Sequence, residues 1–151
     1  MRVRKSFSLV EVLVFVSILS LFFITALSIT TFSIRNLKIQ EHKILATRYA
    51  EEGIEWLKQE KEDDWQNFTL HDDGTGTTYC LNSNPLDWTN QSTNCNDIYS
   101  LGSPVGIFKR VLMITNSGTP VDSIVANMTV SWKENNTVQS VILKSVLNLW
   151  E

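Results

Sequence analysis

The run Phe7-Ser8-Leu9-Val10-Glu11-Val12-Leu13-Val14-Phe15-Val16-Ser17-Ile18-Leu19-Ser20-Leu21-Phe22-Phe23-Ile24-Thr25-Ala26-Leu27 opens a stretch with no charged residue from Val12 to Ile34. About 20 consecutive apolar residues carry a helix across a bilayer, so the run predicts a membrane-spanning helix. Arg2, Arg4 and Lys5 precede it, and Arg35, Asn36 and Lys38 close it. A secretory signal peptide shares the basic start but has a shorter apolar core followed by a small-residue cleavage site. Neither feature occurs here, so the segment is read as an anchor. Lys and Arg near the ends of a span set its orientation. The N-terminus is therefore expected in the cytoplasm and everything after Arg35 outside.

One carboxylate interrupts this pattern. Glu11 stands four residues after Phe7, inside the apolar run. An acid near the centre of a membrane helix costs about 2.5–3.5 kcal/mol on insertion scales, and such a group is by default a functional hypothesis. Four residues is close to one helical turn, so Glu11 shares a face with Phe7. If the chain began at Phe7, its cationic amine, or that of a neighbouring subunit, would neutralise the acid. Pairing with a neighbour would fix the axial register between subunits, since an unpaired carboxylate in lipid penalises every other stagger. The plainer alternative is an interfacial Glu whose head reaches the cytoplasmic headgroups.

The leader, Phe7, Ser8, Leu9 and Glu11, and the long apolar helix together resemble the N-terminus of type IV pilins and of the pseudopilins of type II secretion and DNA-uptake machines. In that family a basic leader ends in Gly and is followed by an apolar residue, Ser or Thr, Leu, any residue and Glu. Here Ser6 stands in place of the Gly. The resemblance implies leader cleavage between Ser6 and Phe7 by a prepilin peptidase, N-methylation of Phe7, and Glu11 as the assembly residue. It also implies an α+β pilin-like fold, in which a long N-terminal helix packs on a small antiparallel sheet. The partners implied are other pilin or pseudopilin subunits, the peptidase, an inner-membrane assembly platform and membrane lipid. No Gly or Pro lies between Phe7 and Glu52. Many major pilins carry one, so its absence leans toward a minor pilin or pseudopilin. The segment Ala50-Glu51-Glu52-Gly53-Ile54-Glu55 is also similar to the second half of that helix in minor pilins.

After Arg35 the pattern turns amphipathic. Ile39, Ala46, Ala50, Gly53, Ile54 and Leu57 share a face at helical spacing, flanked by Leu45, Tyr49 and Trp56. Beyond Trp65 the composition shifts to Asn, Thr, Asp, Gly and Ser, which favour turns. Four strands are expected: Thr77 to Leu81, Ile107 to Thr115, Ile124 to Lys133 and Val138 to Leu149. The third alternates, with Ile124, Ala126, Met128, Val130 and Trp132 on one face. Asn135-Asn136 suits a two-residue hairpin turn, and a second hairpin has Asn116-Ser117-Gly118-Thr119-Pro120 at its tip. The apolar side of this meander needs a cover, which the helix face supplies. The expected division is therefore a leader at 1–6, the membrane half of the helix at 7–34, its amphipathic half at 35–66, a loop-rich region at 67–106 and the meander at 107–151.

Cys80 and Cys95 are the only cysteines. Outside the membrane an even pair reads as a disulfide, and closing a loop of that length contributes about 3 kcal/mol by chain entropy. Within the family resemblance this loop is the exposed, variable region and the place for partner contact. The formal charge is −3, and loss of Arg2, Arg4 and Lys5 would take it to −6. An acidic exposed part with no basic stripe argues against direct nucleic-acid binding. The turn His71-Asp72-Asp73-Gly74-Thr75-Gly76 offers oxygen atoms but fails the EF-hand spacing and reads as a solvated turn. Neither His42 nor His71 joins a nucleophile motif, so neither an enzyme nor a cofactor is expected. The competing reading is a single-span, membrane-anchored extracytoplasmic binding protein that does not polymerise.

Overall fold

The computed structural model describes residues 8–72, 74–89, 95, 99–102, 106–118, 120–134 and 136–150. Its elements are α1 (Leu9–Asp63), α2 (Trp65–Thr69), β1 (Thr77–Cys80), β2 (Phe108–Ser117), β3 (Ser123–Glu134) and β4 (Thr137–Asn148). The architecture is α+β, with a long N-terminal helix and a four-stranded antiparallel sheet in the order β1-β2-β3-β4. The chain divides into two compact units, Met1–Gln40 and Glu41–Glu151.

In the first unit the helical apolar window is long enough to cross a membrane, and none of it is buried within the protein. Most of its described hydroxyls bond back to their own helix. Ser17 donates to Val14 O at 2.8 Å, Ser20 to Val16 O at 2.7 Å, Ser28 to Ile24 O at 2.9 Å and Thr31 to Leu27 O at 2.9 Å. Returning each hydroxyl to its own helix removes the cost that an unpaired polar group carries in hydrocarbon.

In the second unit the small-residue face of α1 lies against the sheet. Ala46, Ala50, Gly53, Ile54 and Leu57 are its buried residues, as the helical spacing predicts, whereas Ile39, expected on the same face, is exposed. Strand alternation supplies the other half of the core, with Phe108, Leu112 and Ile114 from β2 and Ile124, Ala126, Met128, Val130 and Trp132 from β3. Gly53 sets how closely the two halves approach. A Cβ built there would lie 2.6 Å from Met128 Cε and 3.1 Å from Met128 Sδ. The glycine's cost in a helix, about 1 kcal/mol relative to Ala, is exchanged for this contact.

All four strands occur where alternation and composition put them, with ends shifted by one or two residues. Helix α1 stops at Asp63, short of the expected 66, because Asp64 takes an extended conformation (φ −157°, ψ 96°) and caps a separate short helix, α2. Its Oδ1 accepts the Asn67 N–H at 3.0 Å. The β2–β3 turn begins at Gly118, whose φ of 92° suits a residue without a Cβ. Of the two residues joining β3 to β4, Asn135 lies outside the described residues, as does Thr119 in the other turn.

Replacing Gly53 by Val should overpack the interface against buried Met128 and lower unfolding stability by about 1–3 kcal/mol. Gly53→Ala should lose much less, because the gain in helix propensity offsets the shift of a flexible thioether. Urea unfolding of the full chain in detergent, followed by near-ultraviolet circular dichroism, measures both. Equal losses for Ala and Val would refute the close-approach account.

Candidate functional site

Ser6 and Phe7, the expected cleavage and methylation positions, lie outside the described residues. Ser8, Leu9 and Glu11 are exposed at the start of α1, with Ser8 O accepting the Val12 N–H at 3.3 Å. Glu11 falls in the first helical turn. There the unpaired backbone N–H groups and the positive end of the helix dipole favour a carboxylate. Among the described residues no cation pairs with it. An acid at the head of an exposed, membrane-length apolar helix is the candidate functional site of the first unit.

The second unit contains a buried cation. Alternation along β2 turns Arg110 to the same side as Phe108 and Leu112, and its side chain is fully buried. Its Nε donates to Leu81 O at 2.8 Å, and one terminal nitrogen donates to Tyr49 O and to Glu52 Oε2, each at 2.9 Å. Its backbone N–H donates to Asn82 Oδ1 at 2.7 Å. Burial lowers the Arg110 pKa from its usual value, and the Glu52 carboxylate opposes that shift. Glu52 itself is about half exposed, with a side-chain accessibility of 48%. The guanidinium thus ties α1, β2 and the segment after β1 together. Sequence reasoning missed Arg110, although its place in the alternation of β2 was a signal.

A second cluster forms around Trp88. Its ring stacks on His71 with centroids 3.9 Å apart and meets Trp56 at 4.7 Å and Tyr79 at 5.0 Å. The indole N–H donates to Glu60 Oε2 at 2.7 Å. The His71–Gly76 turn also differs from the solvated turn expected of it, because Asp72 is buried. Its Oδ1 accepts from Gly76 N–H and the Thr77 hydroxyl, and its Oδ2 accepts from Asn116 N–H at 2.6 Å. The carboxylate organises the entry to β1 through these bonds, while Asp73 lies outside the described residues.

Cys80 and Cys95 form the expected disulfide, with Cα atoms 5.5 Å apart. Lys109 Nζ donates to Cys95 O at 3.2 Å, so the bridge is fastened to β2 as well as to the end of β1. His42 lies 2.8 Å (Nδ1) from Glu134 Oε2, joining α1 to the end of β3. These polar groups hold elements together. Among the described residues no three His, Cys, Asp or Glu side chains converge as a metal site would need.

Comparison with known proteins gives no match: no protein-family model, no curated protein and no solved structure aligns significantly with this chain.

Tyr79 gives the second unit a pH dependence. Its hydroxyl donates to His71 O at 2.7 Å, and burial, then the Asp72 carboxylate, raises its pKa above the usual 10.0. The unfolded chain ionises this phenol near pH 10. Its contribution is therefore complete below that pH and is lost as pH rises through the higher folded value. Stability of the wild type should fall above pH 10, and Tyr79→Phe should flatten part of that fall while losing the hydrogen bond at neutral pH. Urea midpoints from pH 8 to 11 measure this; parallel profiles for the two proteins would contradict it.

Proposed function

We propose that this chain is a structural subunit, a minor pilin or pseudopilin, of a type IV pilus, a type II secretion-like filament or a DNA-uptake filament. The observation that carries the reading is Glu11, an exposed acid in the first turn of an apolar helix long enough to cross a membrane. It stands within the motif Phe7-Ser8-Leu9-Val10-Glu11 behind a basic leader. On this reading the leader stays cytoplasmic and is removed, and the C-terminal unit faces outward. The charged pair between Glu11 and an N-terminal amine then selects the stagger at which a subunit joins its neighbours. An alternative stagger would leave a carboxylate unpaired in lipid, at a cost of several kcal/mol.

The Cys80–Cys95 bridge supports the orientation, because disulfides persist in oxidising compartments outside the cytoplasm. The hydroxyls bonded back to the helix backbone support membrane residence of the first unit. Ser6, where the family pattern has Gly, favours the second reading, an anchored protein that keeps its leader and does not polymerise.

Glu11→Gln separates the two. It should leave membrane insertion and the N-terminus of the mature chain unchanged, yet reduce the amount of subunit recovered in sheared filaments by about tenfold or more, as expected when a charge pair worth more than about 1.4 kcal/mol is lost. Undiminished recovery of the Gln variant would reject the register role. Recovery of wild-type chain only in membranes, still beginning at its leader, would favour the anchored reading.

A further inference from the structure

We propose that β4 is a self-pairing edge through which two copies of this chain join their sheets into one. The inference stands apart from the membrane-helix assembly above and does not rest on it.

Strand β4 ends the sheet, with β3 its single strand neighbour among the described residues. Its pairing with β3 is continuous over twelve residues, from Thr137 opposite Glu134 to Asn148 opposite Ser123, with no bulge. A long, regular outer strand presents a row of unpaired N–H and C=O groups, and proteins usually blunt such an edge with Pro, bulges or several charges. Here Thr137–Asn148 has no Pro and no Gly, and its one charged residue is Lys144. On the outward face apolar residues alternate with polar ones: Val138, Ile142 and Val146, which are 60%, 62% and 48% exposed, are separated by Ser140 and Lys144.

The order of these residues identifies the occupant. In an antiparallel pair, opposite positions sum to a constant, and only even-numbered slips keep each side chain on its own face. If Ile142 meets Ile142 of the second copy, Val138 meets Val146 and Val146 meets Val138 on the outer face. On the inner face half-buried Val141 meets Leu143, and Gln139 meets Ser145. Lys144 then faces Ser140, so the lone charge of each strand lies opposite a neutral hydroxyl. A slip of two residues puts Ile142 opposite Ser140 in one direction and opposite Lys144 in the other. A slip of four in one direction sets Lys144 against Lys144, which like-charge repulsion disfavours, and in the other carries Lys144 and Val146 past the start of β4, opposite Asn136 and Glu134, which shortens the paired length. The strand is thus close to a palindrome about Ile142, as a two-fold contact of one surface with itself requires. An unrelated partner strand would need no such symmetry.

Single cysteines test both the partner and the register. Directly opposed residues of antiparallel strands have Cα atoms about 4.5–5.5 Å apart, within the range that a disulfide spans. Full-length chain in its native membranes, with its own cysteines bonded to each other, is oxidised mildly and run without reductant. Ile142→Cys should give a covalent homodimer as the main product. Val138→Cys and Val146→Cys should each stay monomeric, because like positions would be about 27 Å apart in the pair, yet the two expressed together should cross-link to one another. Ile142→Lys introduced into the Val138→Cys and Val146→Cys pair should abolish that product, with the monomer's unfolding midpoint unchanged. No Ile142→Cys dimer, equal dimer from all three single variants, or a cross-link to a different protein would each overturn the proposal.

Discussion

The guanidinium of Arg110 is the contact on which the second unit depends. It is fully buried, and it bonds at once to a carbonyl of α1, a carboxylate of α1 and the carbonyl that follows β1. A buried cation costs several kcal/mol to desolvate and is tolerated when every donor finds a geometrically sound acceptor. That requirement places Tyr49 and Glu52 over β2 and holds Leu81 and Asn82 beside it. The close approach at Gly53 makes it feasible, since Arg110 Cδ lies 3.4 Å from where a Cβ would be. The helix is therefore positioned by polar geometry as well as by apolar burial, and its small-residue face is what allows the two to coincide.

From this contact the loop-rich middle of the chain acquires its order. A segment poor in apolar residues gains little from burial and would ordinarily pay heavily for being fixed. It is held at separated points: Asn82 on the β2 backbone, Trp88 among Trp56, His71 and Tyr79, Cys95 through its disulfide and Leu101 by pairing with Phe108. Each tether reaches back to α1, β1 or β2, so the described parts of this region are held by the helix and the sheet.

Much of the fold could be read from periodicity. The charge-free run after Glu11, the helical spacing of Ala46, Ala50, Gly53 and Leu57, and the alternation from Ile124 to Trp132 each correspond to a structural face. What escaped was long-range pairing. Nothing local marks Trp88 as the centre of an aromatic cluster, because its neighbours come from distant parts of the chain. Asp72 reads as a solvated turn residue until Asn116, forty-four positions away, donates to it. Asp64 reads as helix interior because capping depends on backbone angles that composition does not fix. The candidate site was legible to a different degree. An acid in an apolar run is conspicuous by its cost alone, while the chemistry at Ser6 and Phe7 rests on likeness to a family pattern.

If docking through Arg110 and Gly53 organises the second unit, the buried part of α1 and the centre of the sheet must open together. Amide hydrogen exchange on the full-length chain in detergent tests this most directly, because it assigns an opening free energy to each backbone N–H. The account predicts that amides of Ala50, Ile54 and Leu57 in α1 exchange with the same opening free energy and the same urea dependence as those of Leu112, Met128 and Val130 in β2 and β3. Helix amides that exchange through a separate, lower-energy opening while the sheet stays protected would contradict it.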